Sequence, residues 1–355
     1  MDPSTVSFQV NRLGLTLLHP RSNDANSLAA PTVNIVFVHG LRGHPRKTWE
    51  YVTPVQRAVT RSAGAVPAKK KNWFNKLKLE SSLRSTVAGP HLRLADTNGP
   101  MDGYENVYWP ADLLPSVVPN ARIWAYGYNA DIIGGLFQSN NKNSILQHGN
   151  DFMVKAERIL KGDLPIIFVA HSLGGLVVKV AMYRMWSSVD SRYQRFFRRI
   201  RAVVFCGTPH RGSNAAAWGT LAANLIAMAF VDSNSRLLSD LRIDSEVLDR
   251  TQEDFLKALH RASIRIHSFQ EGRALSGMKG LSDKVVDDFS SKLGLPEETV
   301  ETTDADHREM IREPGVKDIS DVLKELEQMA VGAGQAVEVG ELSLLTSVIV
   351  SNNTG

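Results

Sequence analysis

The fold is decided by the stretch I-I-F-V-A-H-S-L-G-G at Ile166–Gly175. A short apolar run leads into Ser172, and an apolar pattern typical of a helix follows it at once. This is the setting of a nucleophile elbow, a sharp and strained strand-to-helix turn that lifts a serine hydroxyl clear of the sheet. Such a turn needs small residues two before and two after the serine, and here they are Ala170, where glycine is commoner, and Gly174. We therefore expect Ser172 to act as a nucleophile.

Similar short, β-branched runs recur along the chain, and helical patterns lie between them. One helical pattern covers Ile145–Leu160, and the next follows Ser172. The other runs are Asn34–Val38, Arg122–Ala125, Ala202–Cys206 and Ile264–Phe269. Strands that alternate with helices indicate a parallel sheet with right-handed crossovers. The sequence therefore predicts an α/β-hydrolase fold, with a mostly parallel twisted sheet, helices on both faces, and one or two antiparallel edge strands from Val6–Leu18.

An oxyanion hole is predicted in the loop that follows the run Asn34–Val38. In this fold that loop donates one backbone N–H, and the residue after the nucleophile donates the other. We assign these donors to Leu41 and Leu173. Gly40 and Gly43 would let the backbone approach the substrate closely. His39 precedes the expected base in chain order, so we interpret His39 as a structural residue of the pocket.

The general base is predicted to be His307. The order expected along the chain is serine, then acid, then histidine. His260 falls in a helical stretch and His267 inside a strand run, where packing or surface roles are more common. His307 follows a short run at Thr299–Thr303 and precedes a helical start. A loop at the end of a last strand is where the base of this fold belongs.

Two carboxylates compete for the role of orienting that histidine. Glu271 lies two residues past the predicted strand Ile264–Phe269. Asp283, in G-L-S-D-K-V-V, could lie on the same loop. Position at a strand end favours Glu271, and Asp283 remains the alternative.

The run F-C-G-T-P-H-R-G-S at Phe205–Ser213 has two interpretations. Proline and glycine in such a run are typical of a turn, which here would shape the floor of the pocket. Alternatively, His210 lines the pocket and positions the substrate.

Composition excludes several classes of protein. A formal charge of +4 on 355 residues is too small and too dispersed to indicate nucleic-acid binding. The single cysteine, Cys206, allows no intramolecular disulfide and fits a reducing, cytoplasmic compartment. No secretory signal or spanning apolar run is evident. No His/Cys/Asp cluster has ligand spacing, so we expect neither a metal nor another cofactor.

Two segments interrupt the regular alternation. Ser62–Pro100 is basic and turn-rich, with lysines around Trp73 and Phe74. This composition suits a solvated insertion, or alternatively a lid or a peripheral contact with an anionic membrane. Val331–Gly355 is rich in Gly, Ala, Val and Ser without a clear period, as in a linker or poorly ordered tail. The sequence thus predicts one hydrolase domain over residues 1–330.

At this point the motifs resemble a known group, the serine active site-containing protein family, which is akin to the GPI inositol-deacylase-like and DUF676 lipase-like hydrolases. The resemblance covers about residues 33–315, and the motifs follow the family's order. They lie at His39–Trp49, Trp109–Pro115, Ala121–Tyr128, Ala170–Gly175, Gly207–Ser213, Ser268–Glu271 and Asp304–Met310.

The resemblance implies a serine esterase acting on lipid or lysophospholipid esters, with its catalytic residues at Ser172, Glu271 and His307. It supports Glu271 over Asp283, because the glutamate after S-F matches the family. Similar fungal domains precede NACHT or NB-ARC modules, so a C-terminal NTPase module is one partner that the resemblance suggests. The second functional hypothesis is accordingly a signalling or interaction module with weak or conditional activity.

Overall fold

The computed structural model describes most of the residues that carry the predicted motifs. The described residues are 9–21, 30–41, 43–54, 104–130, 144–210, 221, 223–224, 245–260, 262–275, 284–313 and 315–332. The predicted insertion at Ser62–Pro100 lies outside them, as does the predicted tail beyond residue 332.

Strands and helices alternate along the described chain. The strands are β1 Gly14–His19, β2 Val33–Val38, β3 Glu50–Pro54, β4 Tyr104–Tyr108, β5 Ala121–Gly127, β6 Ile166–His171, β7 Ile200–Cys206, β8 Arg265–Glu271 and β9 Glu298–Thr303. The helices are α1 Trp109–Asp112, α2 Leu114–Val117, α3 Ser144–Ile159, α4 Gly174–Ser187, α5 Ser191–Arg198, α6 Ser245–Leu259 and α7 at 315–332. A 3-10 turn at Glu309–Ile311 precedes α7.

A mixed sheet of seven strands is the centre of the molecule. Its order is β1-β5-β2-β6-β7-β8-β9, and every neighbouring pair is parallel except β1 with β5. Because β2 lies between β5 and β6, the chain crosses over the sheet before it reaches the nucleophile strand. The predicted mostly parallel sheet with one antiparallel edge is confirmed, and this is the topology of the α/β-hydrolase fold.

Helices cover both faces of the sheet, which confirms the second part of the prediction. Along β2 the side chains alternate: Ile35 and Phe37 face one layer, whereas Val36 and Val38 face the other. The first layer includes α1, α2 and α7, and the second includes α3, α4, α5 and α6. Burial on both faces explains why β2 and β6 read as continuous apolar runs.

The element bounds differ from the predicted ones where the sequence turns polar. β8 continues through Gln270 to Glu271, so the carboxylate is the last residue of the strand and does not follow it. Both residues are buried, and ladder pairing with β9 extends the strand beyond its apolar run. The antiparallel edge strand covers Gly14–His19, and residues 6–8 of the predicted stretch Val6–Leu18 lie outside the described chain. Helix α7 was not predicted separately.

The chain divides into two compact units. The first comprises Met1–Tyr51 with Val107–Gly355, and the second comprises Val52–Asn106. The seven-stranded sheet belongs to the first unit. Of the second unit, only 52–54 and 104–106 are described, in the strands β3 and β4 of a separate two-stranded sheet.

Candidate active site

Ser172 occupies a strained turn between β6 and α4. Its φ of 54° is the only positive value among non-glycine residues in the described part of the chain. Two hydrogen bonds hold the turn. The Ser172 N–H donates to the Cys206 carbonyl at 2.9 Å. The Thr208 hydroxyl donates to the Ser172 carbonyl at 3.1 Å. A left-handed serine held in this way has the geometry of a nucleophile elbow.

Close packing around the elbow explains its glycines. A Cβ on Gly174 would lie 2.4 Å from the His39 carbonyl oxygen, so the start of α4 abuts the end of β2. A Cβ on Gly175 would lie 2.3 Å from the Thr208 side chain. Ala170 is fully buried, and the elbow accommodates its one methyl group.

The loop after β2 lies directly beside the serine. A Cβ on Gly40 would be 2.6 Å from the Ser172 Cβ and 3.2 Å from its Oγ. Leu41 and Leu173 are both buried. Among the hydrogen bonds of the described residues, the backbone N–H of neither leucine has an acceptor. Leu173 follows the serine in sequence, and Leu41 follows Gly40, whose backbone packs against Ser172; their role as the donor pair stays a prediction.

His39 has the packing of a structural residue. Its ring stacks on Tyr128 with centroids 4.5 Å apart and planes 7° apart. The Nδ1–H donates to the Gly40 carbonyl, and Nε2 accepts the Tyr128 N–H. Both ring nitrogens of His39 are thus engaged in hydrogen bonds with the backbone around the loop that carries Gly40.

Glu271 and His307 form a buried pair at the carboxyl edge of the sheet. His307 Nδ1 lies 2.6 Å from Glu271 Oε1, and both side chains are fully buried. The Glu271 carboxylate also accepts the backbone N–H groups of Val285 and Val286, each at 2.9 Å. Three donors therefore compensate the burial of this charge and fix the carboxylate in place.

The imidazole of His307 is held from two further directions. A Cβ on Gly207 would lie 2.9 Å from His307 Nδ1, so the turn after β7 packs against the ring. His171 Nε2–H donates to the His307 carbonyl at 2.9 Å. Within the described residues, neither His307 Nε2 nor Ser172 Oγ has a hydrogen-bond partner, and both atoms are buried. These are the two atoms between which a catalytic proton would move.

The remaining candidates lie elsewhere in the described chain or outside it. His210 is fully buried and its ring packs edge-on against Phe205, while its backbone N–H donates to the Ser290 carbonyl. His260 is exposed just after α6, and His267 lies in β8 beside Glu301. Asp283, the alternative acid, lies outside the described residues.

Two buried features, one at the site and one within helix α4, were missed by sequence reasoning. The first is the amide pair of Val285 and Val286, whose N–H groups leave no trace in the side-chain pattern. The second is Lys179 of α4, whose Nζ is buried between the rings of Phe205 and Phe255 and donates to Gln252 Oε1 at 2.6 Å. Burial holds the pKa of Lys179 well below its usual range. A lysine flanked by valines in a helix pattern gives no sign of such a position.

In the part of the chain that the structure describes, no group of three or more His, Cys, Asp or Glu side chains could hold a metal ion. No helix of that part is both long and apolar enough to cross a membrane.

Parts of the chain are similar to known proteins. Residues 151–240, which include the elbow, match the family model described as "Putative serine esterase (DUF676)". Protein SERAC1 of Mus musculus is 25% identical over 259 residues, covering 73% of this chain and 32% of that protein. Protein SERAC1 of Homo sapiens is 23% identical with the same coverage. The chain therefore spans about a third of the length of the curated relatives that it matches.

Solved structures of hydrolases also align with the chain. A carboxylesterase structure from Nitrososphaera gargenis aligns with a TM-score of 0.40 and 11% identity, over 86% of this chain and 93% of that one. A hydrolase of Oleispira antarctica aligns with a TM-score of 0.42 and 11% identity, over 89% of this chain and 95% of that one. The sheet order, the elbow at Ser172 and the family match together identify the chain as a hydrolase of the α/β-hydrolase fold that resembles the DUF676 serine esterases over residues 151–240.

Proposed function

We propose that the chain hydrolyses carboxylic esters with Ser172 as nucleophile, His307 as general base and Glu271 as the acid that orients it. The observation that carries this proposal is the His307 Nδ1 to Glu271 Oε1 contact of 2.6 Å beside a left-handed serine. With Nδ1–H donated to the carboxylate, the neutral imidazole keeps its lone pair on Nε2. That tautomer is the one that accepts a proton from a serine hydroxyl.

In the first half of the reaction, Ser172 Oγ attacks the ester carbonyl while its proton passes to His307 Nε2. The negative charge that develops on the carbonyl oxygen is stabilised by the Leu41 and Leu173 amides. Glu271 stabilises the imidazolium without taking its proton. When the tetrahedral intermediate collapses, His307 returns that proton to the departing alcohol, and an acyl-Ser172 ester remains.

In the second half, a water molecule takes the place of the alcohol. His307 Nε2 accepts a proton from the water as its oxygen attacks the acyl carbonyl. The same two amides stabilise the second oxyanion. Collapse breaks the bond to Ser172 Oγ, which recovers the proton from His307, and the carboxylic acid leaves.

Within carboxylic esters, we propose that the substrate is a lipid or lysophospholipid ester. The support is the similarity of the motifs to lipase-like hydrolases and the match of residues 151–240. A panel of long-chain lysophospholipids and of p-nitrophenyl esters with short acyl chains tests it. Turnover of the short esters alone would contradict the lipid assignment and leave the esterase chemistry intact.

Fluorophosphonate labelling tests the catalytic assignment, because this reagent forms a covalent bond only with an activated serine. We expect the wild-type chain to be labelled and Ser172→Ala to be silent. Ser268→Ala is the matched control, since Ser268 is also a buried serine but lies in β8 with its hydroxyl on Glu298. Labelling that survives Ser172→Ala would contradict the site.

The competing hypothesis of a signalling or interaction module predicts a different result. The chain matches only 32% of the length of its curated relatives, so its fold also occurs within longer proteins. A module without activity would leave the wild-type chain unlabelled under conditions where a control hydrolase reacts. That outcome would favour binding as the function over ester hydrolysis.

A further inference from the structure

A second cavity lies at the opposite edge of the sheet from Ser172. It occupies about 530 Å³ and opens at the amino-terminal ends of β7 and β8, beneath the end of α5. Its lining residues are Trp186, Gln194, Phe197, Arg198, Ile200, Arg201, Ala262, Ser263 and Ile264. We call this cavity the amino-edge cleft.

The amino-edge cleft is separate from the ester site. Ser172 donates its N–H to Cys206, the last residue of β7, whereas Ile200 and Arg201 begin that strand. A strand of seven residues spans about 20 Å. A ligand in the cleft would therefore lie roughly that far from the reacting serine, and the core of the sheet would separate them.

The charge in the cleft is positive and unbalanced. Arg198 and Arg201 both line it, and among the ion pairs of the described residues neither has a carboxylate partner. The Arg201 Nε is buried and has no acceptor within the described chain. No acidic residue is among the lining residues, and Asp190, which caps the other end of α5, pairs with Arg192. Two guanidinium groups that share a concave site favour an anionic oxygen ligand, because their planar N–H groups match carboxylate and phosphate geometry.

The walls of the cleft offer apolar surface beside that charge. Trp186 and Phe197 contribute aromatic rings, and Ile264 and Ala262 contribute aliphatic groups. The volume falls within the range of small-molecule sites, which combine an apolar lining with a few placed polar groups. A ligand that fits both features has an anionic head and an apolar body.

We propose that the amino-edge cleft binds an amphipathic organic anion, with a carboxylate or phosphate monoester on Arg198 and Arg201 and its apolar body against Trp186 and Phe197. This site is independent of ester hydrolysis. Its occupant remains bound without being turned over, since no nucleophile or base of the catalytic set faces it.

Calorimetric titration of the full chain tests this proposal with a matched set of probes: octyl phosphate, octanoate, octanol and inorganic phosphate. Ser172→Ala serves as the background, so that no probe is transferred to the nucleophile. We expect octyl phosphate or octanoate to bind at least tenfold more tightly than octanol or inorganic phosphate. A preference between the two anions identifies the head group and supports the site in either case.

Three variants locate the binding. Arg198→Gln combined with Arg201→Gln should weaken the binding of the anion at least tenfold. Ser263→Phe should weaken it as much by filling the cleft while both charges remain. Arg195→Gln, an exposed arginine of α5 outside the lining, should bind as the background does. Equal loss in Arg195→Gln, unchanged binding in the double variant, or no binding at millimolar probe would each overturn the proposal.

Discussion

Gly40 and Ser172 are in such close contact that no side chain fits between them. A Cβ on Gly40 would lie 2.6 Å from the Ser172 Cβ and 2.9 Å from the His171 carbonyl oxygen. Because the second of these is backbone, it cannot move aside as a flexible side chain would. The loop that carries Leu41 and the turn that carries Ser172 are therefore positioned by direct contact.

The first prediction concerns this contact. Gly40→Ala should displace the loop and with it the Leu41 amide, so ester turnover should fall about 100-fold, the cost of one oxyanion donor. Gly332→Ala is the control, since a Cβ there meets nothing within 4 Å. Steady-state kinetics with a p-nitrophenyl ester measures the turnover of both variants. Wild-type turnover in Gly40→Ala would show that the loop after β2 takes no part in the reaction.

The second prediction concerns the buried carboxylate. Glu271→Gln puts an amide NH₂ where only acceptors fit, opposite the Val285 and Val286 amides and His307 Nδ1. The amide no longer holds the His307 imidazole in the tautomer that carries its proton on Nδ1. We therefore expect kcat to fall by roughly 10³- to 10⁴-fold, together with a loss of stability. Asp283→Asn should have a much smaller effect, and p-nitrophenyl ester kinetics compares the two. A larger loss in Asp283→Asn would reverse the choice of acid.

The third prediction concerns His171, which connects β6 to the His307 carbonyl. Burial holds the pKa of His171 far below its usual value, so the folded chain keeps this imidazole neutral. As the pH falls below about 6.5, the unfolded chain gains a proton there that the folded chain does not, and stability falls.

His171→Phe removes both the titrating group and the hydrogen bond to His307. Its unfolding free energy, measured by urea denaturation, should therefore depend less on pH between 7 and 5 than that of the wild type. Its kcat should also fall, because His307 is less firmly held. His260→Gln, at an exposed histidine, should keep the wild-type slope; a slope equal to wild type in His171→Phe would refute the assignment.

The fourth prediction concerns Lys179. Its pKa is depressed by burial, so as the pH rises the folded chain releases the proton of this amine before the unfolded chain does. The stability of the wild type should therefore increase as the pH rises from 7 towards 10. Lys179→Met should be more stable at pH 7.5 by about 1 kcal/mol and should lack that increase.

Urea denaturation at pH 7.5 and pH 9.5 measures this effect. Lys161→Met, at a lysine whose side chain is 64% exposed, is the matched control and should behave as the wild type does. If Lys179→Met were destabilised equally at both pH values, the amine would be charged in the folded chain. Its interaction with the rings of Phe205 and Phe255 would then outweigh the cost of burial.

The parts of the fold that the sequence predicts are those with a continuous apolar signal. β2 and β6 are buried on both faces, so their composition alone marks them as central strands. The positions of Ser172 and His307 follow from chain order, because parallel strands bring their carboxyl ends to one edge. The same reasoning placed Glu271 at that edge, although it ended the strand two residues too early.

The parts that escaped prediction depend on contacts between distant residues. The amide donors of Val285 and Val286 are backbone groups, and no side-chain pattern in the sequence indicates their role. Lys179 is buried because α6 packs Gln252 and Phe255 against α4. An isolated helix pattern would place that lysine in water, so only the tertiary structure reveals it.

The order of Ser172 and His307 along the chain also bears on how the protein is made. His171 and the His307 carbonyl that it binds are 136 positions apart. During synthesis the proposed nucleophile therefore leaves the ribosome well before the proposed base. A nascent or prematurely terminated chain that ends before His307 holds a serine with no proton acceptor. On the proposed mechanism such a fragment would not cleave esters, and activity would begin only once the chain had been translated and folded past His307.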